Sequence, residues 1–185
     1  MMKDEQLRRT MTTMQVARPS STLVIGLGNP ILGDDGIGWW VVDALEARLA
    51  TDERARGMAG DLELDRVAVG GLSLMERLVG YERVVLVDAI LGGEMPGTVS
   101  VGALAETVCH LAGHLDSAHD VSLPEALSTG RALGARLPDD ITVVSVAVRD
   151  VDRFGEYLSP DVAGAVEVAV ARVLDALGSQ PVRAD

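Results

Sequence analysis

Two adjacent acids, Asp34 and Asp35, stand inside the glycine-rich stretch Gly26-Leu27-Gly28-Asn29-Pro30-Ile31-Leu32-Gly33-Asp34-Asp35-Gly36-Ile37-Gly38. Glycines around them admit positive φ and let a second backbone or a ligand come close. Paired acids in a turn are either solvated, bonded to neighbouring amides, or put to use. A third acid, Asp88, follows the apolar run Val84-Val85-Leu86-Val87. His119, in Ser117-Ala118-His119-Asp120, comes just before a segment with helix-start signals. The N-terminal end of a helix disfavours the imidazolium and so favours the neutral ring that binds metals. Two carboxylates and one imidazole from separate segments form an oxygen, oxygen and nitrogen set suited to a divalent transition metal with open positions. The plainer readings are turn acids bonded to amides, an acid that ends a strand, and a solvated histidine.

Two rival sites are weaker. Cys109, His110 and His114 include two histidines four apart, which would share a helix face. No glutamate follows His110, and no third ligand is evident nearby. The glycine stretch also invites a dinucleotide reading, but the Gly-x-Gly-x-x-Gly spacing fails at Ile31, and acids stand where a pyrophosphate needs bare amides.

Alternating strand and helix patterns must position these residues. Thr22 to Leu27 is a short apolar run with β-branched residues, as a strand buried on both faces requires. From about Gly36 to Ala50, a helical stripe of Ile37, Val41, Ala44, Leu45 and Leu49 opposes Asp43 and Glu46. The same spacing puts Trp39 on the polar side and Trp40 beside the packed stripe. Thr51 to Gly60 reads as polar turn. Leu62, Leu64, Val67 and Val69 form a second strand ending at Gly70-Gly71, and Leu72 to Val79 a short helix with Leu74, Met75 and Leu78 inward.

Arg83 to Asp88 is the clearest central strand, with Asp88 at the carboxyl end where ligands sit in open parallel sheets. After the turn at Gly92 to Gly97 comes a fourth strand, Thr98 to Val101, too close for a helical crossover and therefore antiparallel or at an edge. Ala105 to Asp116 is ambiguous. Ser122-Leu123-Pro124-Glu125 has capping-box form, followed by Leu123, Ala126, Leu127 and Leu133 at helical spacing. Ile141 to Val148 is a fifth strand. Ser159-Pro160 then opens a helix carrying Val162, Val166, Ala169, Val173 and Leu177 before Gly178. The expected fold class is α/β: a three-layer α/β/α sandwich with a five-stranded, mostly parallel twisted sheet and one antiparallel strand, phosphorylase/hydrolase-like. Residues 22–178 form one domain between tails at 1–21 and 179–185.

At 185 residues the chain can bury roughly 70% of its unfolded surface without a staple. A net charge of -12 excludes a phosphate-tracking nucleic-acid binder, which needs a basic face. Cys109 is the only cysteine, so no intrachain disulfide forms, and with no export-signal pattern at the N-terminus the expected compartment is the cytoplasm. No run reaches the ~18 apolar residues of a membrane span.

Val24 to Gly38 resembles the opening motif of the hydrogenase maturation proteases. Leu86-Val87-Asp88-Ala89 resembles their central strand with its aspartate, and Ser117-Ala118-His119-Asp120 the segment with their histidine. The three motifs occur in order across about residues 22–177. The resemblance implies a metal site at Asp35, Asp88 and His119, with Asp34 orienting the loop or joining in proton transfer. It implies an endopeptidase that removes a C-terminal extension from the precursor of a [NiFe] hydrogenase large subunit, with the nickel carried by that substrate as the recognition signal. Two features depart from the family pattern. The first-loop ligand is often glutamate there and is Asp35 here, and many members carry Asp-Gly-Gly where this chain has Val69-Gly70-Gly71. Gly26-Leu27-Gly28-Asn29-Pro30 also resembles the start of peptidyl-tRNA hydrolases, but their following catalytic histidine has no counterpart here, and the acidic charge disfavours tRNA. A catalytically idle binding or chaperone protein of the same fold is the remaining alternative.

Overall fold

Three strands of almost unbroken apolar residues cannot face water, and they occupy the middle of the sheet. In a computed structural model, which describes residues 22–92, 94–107 and 121–179, β1 (Thr22–Leu27), β3 (Arg83–Leu91) and β5 (Asp140–Val148) run parallel and adjacent. β2 (Leu62–Val67) lies outside β1, and β4 (Val99–Ala103) pairs antiparallel with β5, giving the order β2-β1-β3-β5-β4. The sheet is thus the expected five-stranded one, and its fourth strand is both antiparallel and at an edge. The tails apart from Ser179, and Cys109, His110, His114 and His119, lie outside the described residues.

Alternation along β3 divides the core. Val84, Leu86 and Ile90 face α3 (Gly71–Leu78) and α5 (Leu123–Ala132), where Leu74, Leu78, Leu123 and Leu127 are buried. Val85, Val87 and Ala89 face α1 (Ile37–Thr51) and α6 (Pro160–Gly178). Each fully buried Val, Leu or Ile contributes roughly 1.5–3 kcal/mol, so both layers are firmly held. Two further helices lie among the described residues: α2 (Glu53–Ala59) and the single turn α4 (Leu104–Thr107).

Several local expectations need correction. The polar stretch after Thr51 forms α2, because the Asp52 carboxylate accepts from the amides of Arg54 and Ala55 and caps a helix that has almost no apolar signal. The tryptophans are reversed: Trp39 is half-buried and its indole donates to the Val67 carbonyl at 3.3 Å, while Trp40 is exposed. β2 ends at Val67, and Val69 is exposed. Leu133 lies just past α5 and points to solvent. β3 does not stop at Asp88 but continues to Leu91, still paired with β5 after β1 has turned away.

Candidate active site

The glycine stretch folds as a tight strap from β1 to α1, and close backbone approach explains its composition. A Cβ on Gly26 would sit 2.2 Å from the Gly38 carbonyl oxygen, and one on Gly38 would sit 2.2 Å from that of Leu27 and 2.5 Å from that of Val87. The N-terminus of α1 therefore rests directly on the ends of β1 and β3. Gly28 has φ +122, a region L side chains avoid, and a Cβ there would collide with the Asp35 carbonyl. These contacts turn residues 29–36 back over the strand end, and a 3₁₀ turn at Gly33–Gly36 presents both acids.

The two acids then part company. Asp35 is 3% exposed, and its Oδ2 accepts from the Asn29 amide at 2.7 Å. Asp34 turns the other way: its Oδ1 accepts from the Ser159 amide at 2.6 Å and its Oδ2 from the Ser159 hydroxyl at 2.8 Å. Ser159 is the residue before α6, so Asp34 ties the strap to the far end of the chain. The tie is reinforced by Gly33 N to Gly155 O at 2.6 Å and Gly155 N to Ile31 O at 3.0 Å. Sequence reasoning missed this junction. Ser159-Pro160 signals a helix start, but no local pattern links it to an acid 125 positions earlier.

Asp88 is 1% exposed and, by strand alternation, lies on the face of Leu86 and Ile90. Its Oδ1 accepts from the Ala89 amide at 2.9 Å. Burial pushes the Asp88 pKa well above the ordinary carboxylate range, the nearby Asp35 charge pushes it the same way, and the Ala89 amide opposes both. The structure thus brings Asp35 and Asp88 together from separate segments and directs Asp34 elsewhere. His119 cannot be placed, since the described chain resumes at Val121, before α5 on the Asp88 face of the sheet. Among the described residues no group of three metal-ligating side chains gathers.

Two like-charged carboxylates buried in mutual range are unfavourable unless one holds a proton or a cation lies between them. Hard oxygen donors with that need fit a divalent ion. The fold and site define an α/β protein with a buried pair of carboxylates toward the carboxyl edge of a parallel sheet, where such folds place their ligands.

The comparisons with known proteins specify that class. Residues 64–176 match the family model described as hydrogenase maturation protease. The hydrogenase 2 maturation protease of Escherichia coli K12 is 30% identical over 164 residues, covering 88% of this chain and 93% of that protein. Among solved structures, the hydrogenase maturating endopeptidase HybD from E. coli matches with a TM-score of 0.66 at 27% identity, over 85% of this chain and 91% of that one. A hydrogenase 2 maturation peptidase from a Thaumarchaeota archaeon matches with a TM-score of 0.58 at 29% identity, over 86% and 99%. This chain belongs to the hydrogenase maturation protease family and is a hydrolase of the endopeptidase class. Among the described residues no helix is long and apolar enough to cross a membrane.

Proposed function

We propose that this protein acts in the cytoplasm on the precursor of a [NiFe] hydrogenase large subunit, and that it removes the C-terminal extension only after nickel has been inserted. The observation that carries the reading is the buried pair Asp35 and Asp88, an arrangement whose like charges a divalent cation offsets. Asp35 and Asp88 would hold the metal together with His119, which the family resemblance supplies as third ligand. The nickel arrives with the substrate, held on its other side by substrate thiolates. A cation so placed polarises the scissile carbonyl or activates a water.

The chain's own groups prepare that event. The Asn29 amide holds Asp35 and the Ala89 amide holds Asp88, so neither carboxylate has to be ordered when substrate binds. Burial and the nearby Asp35 charge favour the protonated form of Asp88, and a cation on the same oxygens would favour the ionised one. Asp34 fixes the strap through Ser159, in keeping with a role in orienting the loop.

The test is incubation with nickel-loaded and nickel-free precursor, read by mass spectrometry. Cleavage of the loaded form alone is expected. Equal cleavage of both overturns recognition through nickel, and cleavage of neither overturns the protease assignment for that precursor.

A further inference from the structure

Among the described residues, three buried side chains are polar: Asp35, Asp88 and Ser145. Two of them are the acids of the candidate site. Ser145 lies in β5, inside the otherwise apolar run Val143 to Val148, and is 3% exposed. A strand covered on both faces has no use for a hydroxyl in its own packing, and burying one costs free energy unless it is well bonded.

Register and alternation place that hydroxyl beside the site. Ser145 is the partner of Asp88 in the parallel pairing of β3 with β5. Val143 and Ala147, two positions to either side of it, pack in the same core layer as Leu86 and Ile90, so Ser145 and Asp88 project from the same face of the sheet. Paired strands lie about 4.8 Å apart, which sets the two side chains next to each other. β1 last pairs with β3 at Val87, so the strand alongside Asp88 is β5. On its other side Ser145 is opposite Ser100 of β4, and its hydroxyl donates to the Ser100 carbonyl at 3.4 Å. That is long beside the ~2.7–2.8 Å common for a hydroxyl donating to oxygen. So weak a bond holds the hydroxyl loosely, and one step between staggered rotamers carries it from the β4 side toward β3.

We propose that Ser145 is a positioning residue for Asp88: its hydroxyl turns from the Ser100 carbonyl to the Asp88 carboxylate and fixes the orientation in which that carboxylate binds a divalent cation. The inference rests on the metal site proposed above for the protease. The Ala89 amide bonds one Asp88 oxygen from within β3 itself. The terminal torsion of a carboxylate is broad, so a donor on a second strand fixes the plane of the group. Carboxylates that ligate metals are themselves held by hydrogen bonds, and losing such a partner costs roughly 10–100-fold in affinity or activity.

Calorimetric titration of nickel(II) chloride into metal-free protein tests this in wild type, Ser145→Ala, Ser145→Thr and Ser100→Ala, with thermal melts of each. Ser145→Ala gives up one oxygen and one long bond, so it is expected to melt close to wild type while binding nickel about tenfold more weakly. Ser145→Thr keeps the hydroxyl on a β-branched side chain suited to a strand, and is expected to recover most of that loss. Ser100→Ala removes a half-buried hydroxyl one strand further from Asp88 and keeps wild-type affinity. Three results overturn the assignment: wild-type affinity in Ser145→Ala, an equal loss in Ser100→Ala, or a Ser145→Thr variant that melts like wild type yet binds as weakly as Ser145→Ala. Processing of the nickel-loaded precursor is followed in parallel. The expected pattern of affinities with no cleavage by any form overturns the protease reading and leaves Ser145 as a positioning residue of a metal site. Cleavage by a wild type whose nickel affinity does not depend on Ser145 overturns the positioning role and leaves the protease.

Discussion

β3 carries a charge at the entry to its buried run and another inside it toward the exit, and the two places are built by opposite rules. At the entry, Arg83 is in register with Asp140 of β5, donates to its Oδ2 at 3.2 Å, and reaches the last carbonyls of α6, Ala176 at 2.9 Å and Leu177 at 3.4 Å. Opposite charges meet there and a helix dipole is complemented, as stability requires. At the exit, Asp88 is buried within range of a second carboxylate. One strand thus has a satisfied end where opposite charges meet and, toward its other end, a position where like charges meet, near where ligands of parallel sheets bind. Carboxylates perturbed by burial and a neighbouring like charge cluster at functional sites.

The sharpest way to break this contrast is Asp88→Asn, which keeps the shape and removes the charge. Cleavage of nickel-loaded precursor is expected to fall by at least ~10²-fold, since lesser changes around metal ligands already cost 10–100-fold. A variant that cleaves at more than a tenth of the wild-type rate would remove Asp88 from the site. Titration with a divalent metal, followed by calorimetry, should show binding lost in Asp88→Ala and in His119→Ala. Unchanged binding in both refutes the ligand assignment.

The same substitution should have the opposite effect on stability. With the Asp88 pKa raised in the native state, the unfolded chain gives up this proton first as pH rises. The native protein then holds the extra proton, and this group's contribution to stability falls from the ordinary carboxylate pKa upward until the native pKa is passed. In chelator-treated protein, Asp88→Asn should therefore melt above wild type, with a gap that widens as pH increases through that window. Each 1 kcal/mol recovered appears as roughly 2–4 °C. Identical melting profiles would mean that burial does not disfavour the Asp88 charge. A divalent ion at a hundred times its Kd should add about 2.7 kcal/mol to wild type and little to the variant.

The sheet was legible because its signal is coarse: continuous β-branched runs have one destination, and the short link before the fourth strand forbids a crossover. Helix starts at Ser122 and Ser159 were legible from their chemistry. α2 was not, because Asp52 and a few polar residues form a helix through capping rather than apolar periodicity. Trp39 and Trp40 came out reversed because a carbonyl on β2, rather than the stripe, decides which indole turns inward. In the candidate site, the meeting of Asp35 and Asp88 followed from the carboxyl-edge rule. The divergence of Asp34 depends on Ser159, whose approach is a product of tertiary folding that no spacing encodes.

At the satisfied end, Arg83→Ala should cost about 1–3 kcal/mol, the range for a half-buried ion pair with additional carbonyl bonds. Metal binding should be untouched. Chemical denaturation checks the first and calorimetry the second, and a loss of metal affinity would show that the two ends of β3 are coupled rather than independent.

The smallest effects should come from the tie that holds the strap. Ser159→Ala removes the hydroxyl bond to Asp34 but keeps the amide bond, so it should cost about 1 kcal/mol, and Asp34→Ala, which loses both, about 2 kcal/mol. Because the residues act through one junction, the double variant should cost little more than Asp34→Ala alone. If Asp34 only positions the strap, Asp34→Asn, which keeps an acceptor for Ser159, should retain most of the cleavage lost in Asp34→Ala. If Asp34 moves a proton, the asparagine variant should be as inactive as the alanine one. Precursor-cleavage rates for the two variants across pH separate these roles, since a strap lacking only a hydrogen bond leaves the shape of the pH profile unchanged, while a missing proton carrier removes one of its limbs.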